Sequence, residues 1–295
     1  MSAEAIASRV PLPLTIGRRT LARVHRRLVR LFVPLEQALA GQELILPGLP
    51  AKADGYYLRA VPVAEAEHLA AASGMRRIIR QAYPRHYADL ALGFDPWLAT
   101  FSAKSRSSLR RKRRKLEERS GGRLDVRHYR TPEEVRTFFA EARALSALTY
   151  QERLLDAGLP ADALTDMEAL AGGDQVRAFL LYLDDRAAAY LYAPGDGVTL
   201  RYAYLGHDPA RADLSPGTVL QLEAMRILME EGRFRWFDFT EGDGQHKRQF
   251  ATGSIDSVDL LLLRPSLSNF ATASALAGFD RAVTLAKRIA RRPSR

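Results

Sequence analysis

Residues 213–253 read DLSPGTVLQLEAMRILMEEGRFRWFDFTEGDGQHKRQFATG, and they predict a helix, a buried strand and a polar loop in succession. Ser215 is a suitable N-cap, and Pro216 suits the first helical position, where a missing N–H costs nothing. The amphipathic helix is expected to end at Gly232, because glycine readily adopts the left-handed conformation that commonly ends a helix. The strand of residues 235–240 would bring acidic side chains near the helix start. Because the first amides of a helix attract anions, this stretch predicts an anion site beside acids.

Three segments with period-two alternation precede this stretch, at residues 175–185, 186–194 and 197–206. They are joined by turns rich in Asp, Pro and Gly, so they predict an antiparallel meander. Residues 123–129 and 257–264 predict two further strands, with helices between residues 132 and 171. Together these elements predict an α/β (α+β) fold with a mixed, mostly antiparallel sheet flanked by helices.

The net charge of +10 is unevenly distributed along the chain. Residues 1–130 contain 25 Lys and Arg against 11 Asp and Glu, whereas residues 131–280 contain 13 against 23. The last fifteen residues add six positive charges and no negative ones. Basic segments of this kind favour nucleic acid or anionic membrane surfaces as partners. Such contacts are therefore expected at the two ends of the chain.

The domain organisation predicted from these patterns has five parts. Residues 15–40 have a helical apolar spacing with several arginines, and residues 102–120 form a strongly basic helix that ends at two glycines. The predicted parts are a basic amphipathic segment at 1–42, a partial first α/β domain at 43–101, a basic linker helix at 102–122, a second domain at 123–265 and a basic amphipathic helix at 266–295.

The ordered set of motifs resembles the GNAT acyltransferases, in particular their FemAB-like and CelD-like (cellulose-biosynthesis) branch. Serine, proline and glycine at 215–217 match its helix start, and FDF at 237–239 matches its strand with an acidic loop. The element at 246–253 matches a lysine motif that ends in Phe and Gly, with His246 where an aromatic residue is usual. The basic helix within 93–122 is also similar. The resemblance covers residues 93–263 and implies a GNAT fold, in a tandem arrangement with a shortened first domain.

The resemblance implies that acyl-coenzyme A, in the simplest case acetyl-coenzyme A, is the co-substrate. The uncovered amides at the helix start would hold its pyrophosphate, and the backbone near Leu205 would align its pantetheine arm. A well-capped helix without a ligand is the alternative interpretation. The expected donor-binding residues are Leu205, Gly206, Arg211, Ser215, Gly217, Thr218 and Val219.

Acyl transfer to an amine needs a base for the ammonium proton and stabilisation of the oxyanion. Asp238 or Glu241 is expected to be the base, and Lys247 is expected to stabilise the oxyanion. The alternative is that all three are structural residues at a strand end and on a short surface helix. The expected acceptor-binding residues are Tyr202, Tyr204, Asp243 and His246, although alternating tyrosines are also common packing residues.

The acceptor is expected to be an amine on a small molecule or on an envelope or lipid precursor. The chain has no cysteine, so transfer is expected to be direct, and the six scattered histidines predict no metal site. Without a signal or spanning segment, a cytoplasmic location is expected, with peripheral contact to an anionic membrane through the basic ends. The alternatives are a FemAB-like transferase that uses aminoacyl-tRNA, and a non-catalytic membrane or nucleic-acid adaptor. The oligomeric state is not predicted.

Overall fold

The computed structural model describes residues 5–16, 19–148 and 158–290. They divide into two compact units, one from the described residues of Met1–Pro84 and Ile255–Arg295, and the other from those of Arg85–Ser254. The second unit thus begins at Arg85, ahead of the boundaries expected at 102 and 123. The predicted helical content between residues 149 and 157 lies outside the described residues.

The described strands are β1 (Ala7–Ile16), β2 (Arg19–Phe32), β3 (Gly55–Pro62), β4 (Arg76–Asp89), β5 (Asp125–Tyr129), β6 (Val176–Leu183), β7 (Arg186–Asp196), β8 (Thr199–Arg201), β9 (Tyr204–His207), β10 (Trp236–Asp238) and β11 (Gly253–Leu263). The described α-helices are α1 (Leu35–Leu39), α2 (Val63–Ser73), α3 (Phe94–Ala99), α4 (Ala103–Arg119), α5 (Pro132–Ser146), α6 (Leu164–Gly172), α7 (Pro216–Glu231), α8 (Gln245–Phe250) and α9 (Leu267–Ala290). Among the described residues, no helix combines the length and the apolar character needed to cross a membrane.

In the first unit the strand order is β1-β2-β3-β11-β4. The amphipathic helix predicted from residue 15 is wrong, because β1 and β2 form an antiparallel hairpin and β2 pairs in parallel with β3. The neighbouring residues Leu28 and Val29 are both buried, although a strand directs them to opposite faces. Pairing with distant strands therefore overrides the helical spacing of the arginine-rich segment.

In the second unit the strand order is β4-β10-β8-β7-β6-β5, and β9 pairs with β7. The pairs β5–β6, β6–β7 and β7–β8 are antiparallel, whereas β8 and β10 are parallel. This confirms the mixed, mostly antiparallel sheet with flanking helices. The third predicted strand of the meander is divided into β8 and β9. The last residues of β4 pair with β10, which explains why the unit begins at Arg85.

Helix α7 connects β9 to β10 and follows the predicted bounds. Pro216 occupies its first position, and Gly232 ends it in the left-handed conformation with φ 65°. Its core residues, which include Leu220, Met225 and Leu228, are buried in the main apolar cluster of this unit. Buried Glu223 accepts a hydrogen bond from Arg113 of α4 at 2.8 Å. Part of the basic run on α4 is therefore neutralised by α7.

Candidate functional site

A cavity opens in the second unit where two parallel strands separate. The β8–β10 ladder ends at the pair Arg201 and Asp238, after which the Tyr202 amide donates to the Asp238 carbonyl at 2.8 Å. Beyond this point β9 pairs with β7. The cavity has a volume of about 580 Å³ and is lined by Tyr202, Leu205, Gly206, His207, Pro209, Ala212, Ser215, Gly217, Thr218, Gln221, His246, Gln249 and Phe250.

The start of α7 forms one wall of this cavity. Ser215 has a left-handed backbone, and its side chain makes no capping hydrogen bond, contrary to the N-cap prediction. The amides of Thr218 and Val219 both donate to the Ser215 carbonyl, at 3.1 and 3.2 Å. Among the described residues, the Gly217 amide has no hydrogen-bond partner. The helix start thus offers an anion one free backbone amide instead of the three that were expected.

Gly217 lets the helix start lie directly against β9. A Cβ atom at this position would lie 3.1 Å from Leu205 Cδ2 and 3.6 Å from His207 Nδ1. A larger side chain would therefore press on Leu205 and reduce the cavity. Leu205 and Gly206 line the cavity as the resemblance implies, whereas Val219 is not among its lining residues.

Arg211, expected beside the donor phosphates, is instead held by two acids. Its guanidinium pairs with Asp184 at 3.1 Å and with Asp208 at 3.5 Å, and it does not line the cavity. No lysine or arginine is found among the cavity-lining residues of the described chain, and the described residues contain no group of three or more acids and histidines suited to a metal. The polar groups that face a ligand here are neutral side chains, two histidines and backbone amides.

Asp238 is completely buried and is occupied by structural contacts. Arg85, also completely buried, donates to Asp238 Oδ2 from Nη2 at 2.6 Å and from Nε at 3.1 Å. The Thr240 amide donates to Asp238 Oδ1 at 2.8 Å. With no surface in the cavity and these donors around it, Asp238 is placed to hold the chain after β10. It is not placed to take a proton from a bound amine.

Lys247 holds the turn that follows β10. Its ammonium donates to the Phe239 carbonyl at 2.6 Å and to the Glu241 carbonyl, across Thr240, which has φ 58°. Burial lowers the pKa of Lys247, and the carboxylates of Glu241 and Asp238 oppose that shift. The side chain is therefore aimed at backbone carbonyls of its own loop, and it is not one of the cavity-lining residues.

Neither Glu241 nor Asp243, the other two predicted acids, lines the cavity. Asp243 pairs with His86 at 2.9 Å and with Arg248 at 2.6 Å. The hydrogen bond with His86 is the main reason that the pKa of Asp243 lies below its ordinary value. Asp243 thus connects the loop to His86 of β4 and to Arg248 of α8.

The titratable side chains that do face the cavity include His246 and Tyr202. Their ring centroids are 5.9 Å apart. Partial burial, followed by the charge of Lys247, lowers the pKa of His246 below 6.5, so its imidazole is neutral at physiological pH. Burial raises the pKa of Tyr202, which stays protonated. Tyr204 stacks on Tyr192 at 6.2 Å and does not line the cavity.

The family comparison agrees with this geometry. Residues 103–248 match the family model described as an acetyltransferase (GNAT) domain. These residues form a GNAT domain. The match includes the basic helix α4 and continues from β5 into α8. All of the cavity-lining residues except Gln249 and Phe250 lie within it.

Solved structures with this fold include FemX. FemX aligns at 13% identity over 87% of this chain and 88% of its own, with a TM-score of 0.54. The C-terminal domain (DUF2156) of a putative lysylphosphatidylglycerol synthetase from Agrobacterium fabrum aligns at 13% identity over 78% of this chain and 72% of its own, with a TM-score of 0.51. These likenesses confirm the fold, and they fit a FemAB-like GNAT protein. Comparison with curated proteins finds no match.

Several residues of the GNAT domain site were not predicted. Arg85 and His86 lie on β4 and contact the loop that follows β10. Both precede the matched residues by almost twenty positions. Only strand pairing brings them there, so no local signal could identify them. Gln221 and Gln249 line the cavity from α7 and α8. Gln221 lies one helical turn after Gly217, and Gln249 lies three residues after His246. Helical periodicity places each glutamine on the same face as a predicted site residue, so this signal was present in the sequence.

Proposed function

We propose that the GNAT domain transfers an acyl group from acyl-coenzyme A, most simply acetyl-coenzyme A, directly to an amine. The observation that carries this proposal is the separation of β9 from β10, with a cavity that extends to the start of α7. A thioester with a long arm and a phosphate end fits such a cleft. The arm would lie along Leu205 and Gly206, and the phosphates would lie near Gly217 and His207.

We assign proton transfer in this reaction to His246 and Tyr202. The neutral imidazole takes a proton from the amine, whose nitrogen attacks the thioester carbonyl carbon. The new C–N bond forms, the C–S bond breaks, and the departing thiolate takes a proton from the Tyr202 hydroxyl. The imidazolium of His246 then returns a proton to the Tyr202 phenolate through solvent, which restores both groups. His246 replaces Asp238 and Glu241 as the proposed base because it lines the cavity and they do not.

Donor binding is testable by thermal shift. Acetyl-coenzyme A at a hundred times its dissociation constant should stabilise the protein by about 2.7 kcal/mol. The variant Gly217→Val should lose this shift, because its side chain meets Leu205. The control Gly172→Val, at a glycine with no atom within 4 Å of an added Cβ, should retain it. Absence of any shift with coenzyme A and with acetyl-coenzyme A would reject the proposal.

A second candidate is FemAB-like transfer from aminoacyl-tRNA, and one observation favours it. A groove of about 500 Å³ along α4 is lined by Ala103, Arg106, Ser107, Arg110, Arg111 and Arg114. Arginines at positions four apart lie on one face of a helix, a spacing that suits a line of phosphates. An anionic acceptor, including a lipid or envelope precursor, would meet the same face.

The salt dependence of tRNA binding tests this second candidate. The plot of log K against log salt should have a negative slope, and Arg110→Gln/Arg111→Gln should reduce its magnitude by about 2. The control Arg136→Gln, on α5, removes a surface ion pair with Glu168 and should leave the slope unchanged. Binding without a salt slope, or an equal loss in both variants, would contradict a role for α4.

We retain the cytoplasmic location and peripheral membrane contact as part of this proposal. Because β1 and β2 form a hairpin, the N-terminal end no longer supports membrane contact through an amphipathic helix. Helix α9 still supports contact, since Leu267 and Phe270 at its start are 92% and 60% exposed. Sedimentation with vesicles containing anionic lipid tests this contact.

A further inference from the structure

Gln221 is a buried polar residue that no part of the proposed reaction uses. Its side chain is 2% exposed, and it lines the cavity from α7 together with Gly217 and Thr218. Its Nε2 atom is buried and has no hydrogen-bond partner among the described residues. A residue that lines the cavity therefore carries a buried side-chain amide with an unused donor.

Such a group disfavours folding unless something pairs with it. Burial removes the amide from water, and an unmade hydrogen bond leaves that cost uncompensated. Methionine or leucine would occupy a similar volume without the cost, and the adjacent residues Leu220 and Leu222 are apolar. The position is consequently one at which a bound ligand would supply the missing acceptor.

The direction of α7 places Gln221 between the two ends of the cavity. As the connection between the parallel strands β8 and β10, α7 runs back alongside β9. Its residue Gly217 lies beside Leu205 and His207. Gln221 is one turn further, about 6 Å along the helix axis. It therefore lies between the helix start and the pair formed by Tyr202 and His246.

We propose that Gln221 binds the acyl donor by donating a hydrogen bond from Nε2 to an amide carbonyl oxygen of its pantetheine arm. This inference rests on the proposed function and names a carbonyl subsite within it. The arm joins the phosphates to the thioester, so its amide groups occupy the interval in which Gln221 lies. A neutral amide matches the neutral amide carbonyls of the pantetheine arm, and aminoacyl-tRNA has no such arm.

The variant Gln221→Met tests the subsite in the full-length protein by calorimetry. Its affinity for acetyl-coenzyme A should fall about tenfold. Its affinity for adenosine 3′,5′-bisphosphate, which lacks the pantetheine arm, should equal that of the wild type. Without ligand, the variant should melt at a temperature about 2 °C higher or more, because an unpaired buried amide has been removed. The control Gln245→Met, at an exposed residue of α8, should bind both ligands normally.

The outcomes separate the subsite from the function on which it rests. Equal affinity of the wild type and Gln221→Met for acetyl-coenzyme A would overturn the subsite and leave the proposed function intact. An equal loss for the bisphosphate would also overturn it, since the damage would then not be specific to the arm. A wild-type protein that binds neither coenzyme A nor acetyl-coenzyme A would overturn the proposed function together with the subsite.

Discussion

Replacement of Asp238 with asparagine is expected to lower the free energy of unfolding by about 3–5 kcal/mol. The change removes the carboxylate charge that the completely buried guanidinium of Arg85 contacts at 2.6 Å. It also weakens the contact that the Asp238 carboxylate makes with the Thr240 amide. Urea denaturation followed by circular dichroism measures the loss.

Two further variants show whether the buried charge is the cause. Asp196→Asn, at an exposed position, should change stability by no more than about 0.5 kcal/mol. The double variant Arg85→Met/Asp238→Leu should recover much of the loss, because it removes both charges and fills the site. If Asp238→Asn kept wild-type stability and lost activity instead, Asp238 would be a catalytic base after all.

Replacement of His246 with glutamine is expected to lower kcat/KM by about 10²- to 10⁴-fold, the usual contribution of a general base. The imidazole accepts a proton only in its neutral form. Because the pKa of His246 is lowered from 6.5, wild-type activity should fall as the pH drops through a value below 6.5. Above that value the rate should not depend on this group, and in the variant this acidic limb should be absent.

His207→Gln provides the matched control at the other histidine that lines the cavity. It should retain the acidic limb, since its ring is placed near the start of α7 and not beside Tyr202. Affinity for acetyl-coenzyme A, measured by calorimetry, should be unchanged in His246→Gln. A pH profile with the same acidic limb in wild type and His246→Gln would exclude His246 as the base.

Local patterns predicted the central elements of the GNAT domain well. Helix α7 begins with Pro216 and ends at Gly232 as expected, because proline and glycine impose their own backbone angles at those positions. The alternation of residues 175–206 predicted β6 and β7 and the strand now divided into β8 and β9. The same reasoning failed for the arginine-rich segment around Leu28. Its spacing fits a helix, and only the partners of β2 decide otherwise.

The sequence located the region of the candidate site better than it assigned roles to the individual residues there. Leu205, Gly206 and Gly217 do line the cavity, as does His246. The charged residues expected to carry chemistry or phosphate binding have other partners in the structure: Asp238 has Arg85, Lys247 has two carbonyls, and Arg211 has two acids. A charged side chain can be recognised from sequence, but its partner depends on distant segments.

The sequence by itself determined the GNAT fold of residues 103–248 and the position of the helix start, since these depend on turn residues and alternation within short segments. Tertiary structure alone decided which groups face the cavity. The pairing of β4 with β10 buries Arg85 against Asp238, and the separation of β9 from β10 leaves His246, Tyr202 and Gln221 facing the cavity. The physical reason is that burial and ion pairing are properties of groups brought together from far apart in the chain.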